Sequence, residues 1–445
     1  KSIAAVALYL GTIRAGAVFL PLNTAYTPRE LEYFLGDAHP ALLVCRTQAR
    51  DQLLPVAQTT NTRLETLSAD GTRGTWADRL GEAAAEFSTI TRQSDDLAAI
   101  LYTSGTTGRA KGAMITHRNL ASNAQTLASL WEFSGDDVLL HVLPIFHTHG
   151  LFVAINTVMV AGASMRFLPR FDAKQVQEIL PLCSVMMGVP TYYSRLLALD
   201  AFDASTAAQM RLFISGSAPM TMETHRAFSE RTGMVILERY GMTETNMITS
   251  NPCDGERVPG SVGFPLPGVE VRITDPEVNE ARELEAENIG MIEVRGPNVF
   301  SGYWQMPEKT AEEFRADGFF ITGDLGKLDD RGYLHILGRS KDLIISGGYN
   351  VYPKEIEIQI DRLGGIAESA VIGLPHADFG EAVTAIVVKQ GDAKIDESSI
   401  SSALASELAS YKIPKRVFFV DELPRNAMGK VQKNLLREAY REIYS

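Results

Sequence analysis

The sequence predicts a large N-terminal α/β domain with parallel sheets, a small β subdomain within it, and an α+β domain at the C-terminus. Strand-like and helix-like segments alternate over the first half of the chain, which is typical of α/β proteins with parallel sheets. From Pro252 to Tyr303 the chain becomes rich in glycine and proline and contains short strand-like segments such as Met291–Val294. This change favours a small, mostly antiparallel β subdomain.

The alternating segments follow one another in a regular order. Helical periodicity is found in Ile3–Ala15 and Pro28–Leu35, and strand-like segments are Ala17–Leu22 and Ala41–Cys45. Two runs are apolar enough to be buried parallel strands, Leu97–Tyr102 and Val138–Leu143. The alternation continues through three further strand-like segments: Ser184–Val189, Leu212–Ser215 and Val235–Glu238.

A domain boundary is predicted at Gly338–Asp342, between strand-like Tyr333–Leu337 and Leu343–Ser346. We therefore divide the chain into a large domain over 1–338, a connection over 339–342 and a small domain over 343–445. The small domain is expected to contain helices and strands in this order: helix Pro353–Leu363, strands Ala370–Ile372 and Val383–Lys389, helix Ser398–Ala409, strand Val417–Val420 and helix Asn434–Ile443.

The amino-acid composition limits which classes of function are plausible. The 445 residues carry a net charge of −12, which argues against a nucleic-acid partner because phosphate binding needs a basic surface. The three cysteines are widely separated, which fits reduced thiols, and no apolar run approaches the length of a membrane span. We therefore expect a cytoplasmic protein. The chain begins inside a helical pattern without an initiator Met, so we expect a fragment. Composition leaves the oligomeric state open.

The sequence predicts a phosphate-binding loop after the apolar run Leu97–Leu101. It begins at Thr103 and reads Thr-Ser-Gly-Thr-Thr-Gly-Arg-Ala-Lys-Gly. Gly105 and Gly108 permit backbone dihedrals at which amide groups can close on phosphate oxygens. Lys111 supplies a cation. The spacing differs from the Walker pattern. The loop also contributes four hydroxyl groups, from Thr103, Ser104, Thr106 and Thr107.

This loop resembles the signature of the adenylate-forming superfamily, which includes acyl-CoA synthetases, luciferases and peptide-synthetase adenylation domains. Four further motifs match in the same order and cover nearly the whole chain: Tyr240–Glu244, Thr322–Asp324, Gly338–Asp342 running into Gly347–Pro353, and Pro424–Lys430. The resemblance implies a mobile C-terminal domain, ATP, Mg²⁺ and coenzyme A, and the joining of a carboxylic acid to the thiol through an acyl-adenylate.

The resemblance also implies a role for each motif. The loop and Lys111 would hold the β- and γ-phosphates, Glu244 beside Thr243 would bind Mg²⁺, and Lys430 would reach the α-phosphate. Adenine and ribose contacts are implied for Gly216, Ser217, Ala218, Tyr240, Gly241, Asp324 and Arg339. Lys341 occupies the hinge position, and the coenzyme A channel would be lined by Gly347, Gly348 and Tyr349.

Residues beyond the nucleotide motifs suggest a polar acid. His147 matches the histidine that gates the acyl pocket, and His149 matches a position that lines the pocket and is commonly aromatic. Arg226, on a predicted helix, could hold a second carboxylate bidentately, or could be a surface arginine. Met247 and Ser250 could close the pocket floor. The run 144–268 resembles the malonyl-CoA synthetase branch, so we expect malonate, with methylmalonate as a variant.

Other functions stay open at this stage. The acid could be another short or aromatic carboxylate. The chain could also load a carrier protein, although no clear aspartate for an α-amino group appears at Phe213–Ser217. A catalytically silent nucleotide-binding relative is disfavoured by the intact set of Lys111, Glu244, Asp324 and Lys430, and no feature supports a purely structural role.

Overall fold

The structure is a computed structural model that describes residues 1–83, 86–103, 110–276, 278, 281–426 and 429–444. Its centre is a seven-stranded sheet in the order β11-β10-β9-β8-β7-β5-β6, parallel from β6 to β9 and antiparallel beyond. The strands are β5 (Val138–His141), β6 (Ser164–Phe167), β7 (Val185–Gly188), β8 (Leu212–Ser215), β9 (Leu237–Met242), β10 (Asn246–Ser250) and β11 (Phe264–Pro265).

Both faces of this sheet are buried, which explains the nearly unbroken apolar runs of its strands. Val185 and Met187 belong to the core on one face, and Met186 to the core on the other. The helices that follow or connect these strands are α5 (His117–Leu130), α6 (Asn156–Ala161), α7 (Ala173–Ile179), α8 (Pro190–Leu197) and α9 (Met222–Thr232), with a π-helix at His149–Ile155.

The N-terminal part carries two small sheets. Strands β1 (Leu42–Cys45) and β2 (Arg63–Thr66) are parallel. Strands β3 (Leu97–Thr103) and β4 (Lys111–Thr116) are antiparallel and are joined by the phosphate loop. The helices of this part are α1 (Ile3–Arg14), α2 (Pro28–Ala38), α3 (Arg50–Thr59) and α4 (Thr75–Glu82).

Two predicted strands differ from expectation. Leu97–Tyr102 is a buried strand but not a parallel one, because a short loop returns the chain directly to β4 and a parallel pair needs a longer crossover. Within Ala17–Leu22 only Phe19 makes an isolated bridge, to Ala99. The expected strands Val138–Leu143, Ser184–Val189 and Leu212–Ser215 are observed in parallel pairing.

The β subdomain is an antiparallel four-stranded sheet, as the sequence predicted. It consists of β12 (Glu270–Thr274), β13 (Gly290–Arg295), β14 (Phe320–Leu328) and β15 (Leu334–Arg339), with α10 (Pro307–Glu312) before β14. A short 3₁₀ turn, Ser340–Asp342, follows β15 and leads into the next sheet.

The C-terminal unit is α+β, so the predicted fold class is confirmed. Its strands are β16 (Ile344–Ser346), β17 (Tyr349–Val351), β18 (Ile366–His376), β19 (Gly380–Lys389) and β20 (Arg416–Val420), and its helices are α11 (Pro353–Asp361), α12 (Glu397–Glu407) and α13 (Lys433–Ala439). Within the described ranges, no helix combines the length and apolarity needed to cross a membrane.

The bulge of β10 is held by a buried asparagine of α5. The Asn123 side-chain amide donates to the Met247 carbonyl at 2.9 Å, and its oxygen accepts the Met247 N–H at 3.2 Å. Asn298 donates to the same carbonyl at 3.0 Å. Because the pairing of β10 with β9 shifts between Met247 and Thr249, the strand itself does not supply a regular ladder there.

We expect Asn123→Ala to destabilise the protein by about 1–3 kcal/mol, because it leaves a buried backbone donor without its partner. The measurement is chemical unfolding followed by fluorescence. Gln125→Ala, at an exposed position of the same helix, is the matched control and should unfold as the wild type does. Equal stability of the two variants would contradict the proposed anchoring of the bulge.

Candidate active site

The phosphate loop is framed by a hairpin, with Thr103 paired to Lys111 where β3 and β4 meet the loop. Ser104, Gly105, Thr106, Thr107 and Gly108 lie outside the described residues. The Lys111 ammonium lies 2.9 Å from a Glu313 carboxylate oxygen and 3.9 Å from the centre of the Tyr303 ring. The hairpin therefore delivers Lys111 to a polar cluster rather than to open solvent.

Glu244 lies in the turn between β9 and β10, beside Thr243, and is buried. Burial raises the pKa of Glu244 above its usual value. The Tyr303 hydroxyl lies 3.1 Å from one Glu244 oxygen and 2.6 Å from a Glu313 oxygen. Glu244, Tyr303, Glu313 and Lys111 thus form one continuous chain of contacts.

Three of the predicted adenine and ribose residues come together where the seven-stranded sheet meets the four-stranded sheet. Tyr240 on β9 donates its hydroxyl to Asp324 on β14 at 2.5 Å. Arg339 faces Asp324 across the β14–β15 pair, and its Nε lies 2.8 Å from the other carboxylate oxygen. Burial and the neighbouring Asp324 charge raise the pKa of Tyr240 well above its usual range, so this hydroxyl stays protonated.

A side chain does not fit at Gly241, and a side chain at Gly216 would force the Arg239 guanidinium to move. A Cβ on Gly241 would lie 1.9 Å from the Asn246 carbonyl oxygen, and one on Gly216 would lie 2.5 Å from the guanidinium carbon of Arg239. Ser217 and Ala218 follow Gly216 at the carboxyl end of β8. Ser217 has a positive φ of 70°, a strained conformation of the kind that clusters at functional sites.

His149 and Ser217 meet at this edge of the sheet. The Ser217 hydroxyl lies 3.3 Å from His149 Nδ1, and His149 Nε2 has no hydrogen-bond partner among the described residues. Burial and then the Arg239 charge lower the pKa of His147 to about 4. The same two causes, in the same order, lower the pKa of His149 well below its usual range, so both rings are neutral at physiological pH.

Arg226 does not line this site, and the prediction that it holds a carboxylate in a buried pocket is wrong. Its side chain is 73% exposed on α9 and lies 3.9 Å from Glu230 one turn later. An exposed pair at this spacing is an ordinary feature of a helix surface. The sequence pattern allowed both interpretations, and the structure supports the surface one.

The arginine that the sequence analysis missed is Arg239 on β9. It is 3% exposed, and within the described part of the chain its Nε and Nη2 atoms have no hydrogen-bond partner. Burial lowers the pKa of Arg239 to about 9, which still leaves it charged at neutral pH. One signal was present in the sequence: a charged residue inside the apolar strand that precedes Tyr240.

The two residues predicted to floor the pocket lie on β10. Ser250 is the cross-strand partner of Arg239, and its hydroxyl accepts from Trp131 Nε1 at 2.9 Å and donates to the Asn251 carbonyl at 2.7 Å. Met247 is buried and faces Gly241 across the strand pair. Both are close to the Arg239 end of the sheet, but the Ser250 hydroxyl already has two partners.

Lys430 reaches the large domain from the C-terminal unit. The Arg425 side chain donates to the Gly429 carbonyl at 2.6 Å, and the Lys430 N–H donates to the Asn426 side chain at 3.0 Å, so both Gly429 and Lys430 are held by hydrogen bonds. A Cβ on Gly429 would lie 3.1 Å from Thr191 Oγ1 on α8. Lys430 is exposed as a residue, but loss of water around its ammonium and then the Arg339 charge lower its pKa, whereas Asp324 raises it. The ammonium is therefore close enough to the ribose-motif residues to feel their charges.

The predicted coenzyme A residues are elsewhere in this arrangement. Gly347 and Gly348 form an exposed turn between β16 and β17, and Tyr349, the first residue of β17, is 58% exposed and stacks on Tyr411 at 4.6 Å. Lys341 lies in the 3₁₀ turn that joins the two units. The structure therefore brings Lys430, but not this turn, to the nucleotide residues.

Fold and site together define an adenylate-forming enzyme. The AMP-binding enzyme family model matches residues 1–304, and that of the AMP-binding enzyme C-terminal domain matches 355–430. The chain belongs to the AMP-binding enzyme family.

The chain is similar over nearly its whole length to several known proteins. The mitochondrial malonate–CoA ligase of Mus musculus is 38% identical, over 96% of this chain and 78% of the relative. ATP-bound MatB of Rhodopseudomonas palustris is 60% identical with a TM-score of 0.97, over 100% of this chain and 88% of the other. A malonyl-CoA ligase in a ternary product complex with methylmalonyl-CoA and AMP is 37% identical with a TM-score of 0.67, over 95% and 89%.

Proposed function

We propose that this protein joins malonate to coenzyme A through a malonyl-adenylate, consuming ATP and releasing AMP and pyrophosphate. The relatives named as malonate–CoA ligases support this reaction. The observation that carries the choice of acid is the buried, unpaired guanidinium of Arg239 next to Gly216. A monocarboxylate would leave that cation without a partner, at a large desolvation cost.

Arg239 is suited to a second carboxylate. Malonate would react through one carboxylate and bury the other, and a buried anion needs a charge partner. His149 cannot supply that charge, because its pKa lies well below its usual range. It can offer a neutral hydrogen bond beside Ser217. Arg239 presents two free donors in a planar fork, the geometry that carboxylates accept.

The nucleotide would be held by residues that the structure already brings together. The Asp324 carboxylate would accept from the ribose hydroxyls while Tyr240 and Arg339 orient it. Lys111 would neutralise the outer phosphates. Glu244 would hold Mg²⁺, since one buried carboxylate completed by phosphate oxygens and water suits the coordination of this ion; when bound, the ion would neutralise phosphate charge.

In the first half-reaction a malonate oxygen attacks the α-phosphorus, an oxygen–phosphorus bond forms, and pyrophosphate leaves. Negative charge increases on the α-phosphate as the bond forms. Lys430, on its fixed turn beside Arg339 and Asp324, is placed to stabilise that charge. A lysine is suited to this because its ammonium is a compact, movable point charge.

The second half-reaction is the attack of the coenzyme A thiol on the acyl carbon, with AMP as leaving group. The exposed turn of Gly347, Gly348 and Tyr349 would reach the site by rotation of the small domain, 343–445, against the large domain, 1–338. We place the hinge at 339–342, around Lys341. The high similarity to an ATP-bound structure supports the present arrangement as the adenylating one. A cytoplasmic location stays a prediction.

Lys430→Ala should slow malonyl-adenylate formation by about 10²–10³-fold, because one preorganised charge is lost from the transition state. Thioester formation from supplied malonyl-adenylate should be spared, since Lys430 leaves before the thiol enters. Pyrophosphate release and thioester formation are measured separately. Lys394→Ala, an exposed lysine of the same unit, should change neither; an equal loss of both half-reactions in Lys430→Ala would refute the assigned role.

Arg239→Met should lower kcat/KM for malonate by about two to four decades, from about 3–5 kcal/mol for breaking a buried pair. Butyrate should improve relative to malonate, because the pocket loses its cation, and ATP binding should persist. Arg226→Met is the matched control and should behave as the wild type, since its side chain lies on the surface. Malonate preference that survives Arg239→Met would remove the physical basis for a dicarboxylate.

A further inference from the structure

Glu313 is an acidic residue at the end of α10 that neutralises the phosphate-loop lysine. One carboxylate oxygen lies 2.9 Å from the Lys111 ammonium, and the pair is largely shielded, with side chains 16% and 21% exposed. The same oxygen lies 3.2 Å from Lys309, and the other accepts the Tyr303 hydroxyl at 2.6 Å. Glu313 therefore has three polar partners, one of which is the cation proposed to hold ATP phosphates.

Backbone hydrogen bonds hold the segments that carry this pair. The Trp304 N–H donates to the Gly112 carbonyl at 2.7 Å, which ties the Tyr303 segment to β4. The Glu313 carbonyl accepts the Ile321 N–H at 2.8 Å, which ties the end of α10 to β14. The meeting of Lys111 and Glu313 is thus set by the fold on both sides and not by two free side chains.

We propose that Glu313 is an intramolecular counter-ion that occupies Lys111 when no nucleotide is bound and must be displaced by the triphosphate. This inference rests on the ATP site proposed above. An ammonium beside a carboxylate offers less attraction to an incoming anion, and the carboxylate itself repels phosphate oxygens. Glu313 therefore lowers the affinity for ATP and disfavours adventitious anions at the loop, while Lys309 and Tyr303 keep the displaced carboxylate solvated.

Removing the Glu313 charge should strengthen the binding of ATP. Glu313→Gln keeps the shape of the side chain and a hydrogen-bond acceptor for Tyr303, but it removes the charge. ATP should bind about ten-fold more tightly to this variant, a change within the range for one charged hydrogen bond. Adenosine, which lacks phosphates, should bind as it does to the wild type. A residue that only supported the local structure would alter both ligands.

The experiment is calorimetric titration of the full chain with ATP and Mg²⁺, and separately with adenosine, at low and high salt. Glu312→Gln is the matched control, because the Glu312 carboxylate contacts Lys309 at 2.9 Å, whereas the carboxylate that pairs with Lys111 is that of Glu313. The gain in Glu313→Gln should shrink at high salt, as a screened interaction must, and it should vanish in the Lys111→Ala background.

Unchanged or weaker ATP binding in Glu313→Gln would overturn the proposal, as would an equal gain in Glu312→Gln or a gain that persists without Lys111. Glu313→Ala provides a second variant with the same expected sign. Malonate turnover is not used in these comparisons. Failure of the wild type to form malonyl-adenylate would refute the proposed function, whereas the ratio of ATP dissociation constants alone decides the role of Glu313.

Discussion

A single positive charge, buried at Arg239 without an anionic partner among the described residues, is the constraint on which the acyl end of the site depends. Its guanidinium packs closely on Gly216, so a side chain at that position would have to displace it. The same charge, after burial itself, keeps His147 and His149 neutral. Arg239 is therefore a neighbour that Gly216 and the two histidines share, and burial is the larger cause of the histidines' neutrality.

Arg239 and Lys111, the cations proposed for the acyl group and for the phosphates, differ in whether the protein supplies a partner. No described residue bonds Arg239 Nε or Nη2, and in the proposed function the substrate itself would complete the pair. At the phosphate end Lys111 is already matched by Glu313. In a chain with a net charge of −12, long-range attraction does not favour anionic substrates, and selectivity must come from such local pairs. In the proposed function Arg239 would recognise the acid and Lys111 would recognise ATP.

The sequence predicted the fold class because that class depends on local signals, and its motifs also singled out residues that the structure brings together. The alternation of apolar runs reports the buried sheet, and the meeting of Tyr240, Asp324 and Arg339 follows from motifs in a fixed order. The acyl pocket was harder to predict. Arg226 and Arg239 are both arginines near the same motif, and which of them is buried depends on how α9 and β9 pack.

Glu313 marks the limit of prediction from sequence. It stands in a Glu-Glu pair on a short helix, where either residue could be a surface charge. Glu312 is exposed and forms an ion pair with Lys309, whereas Glu313 contacts Lys111 and Tyr303. The difference arises from the turn after α10, which joins β14 and rotates one carboxylate inward. Only the tertiary structure distinguishes these neighbours, because it pairs one of them with the cation that we propose for the ATP phosphates.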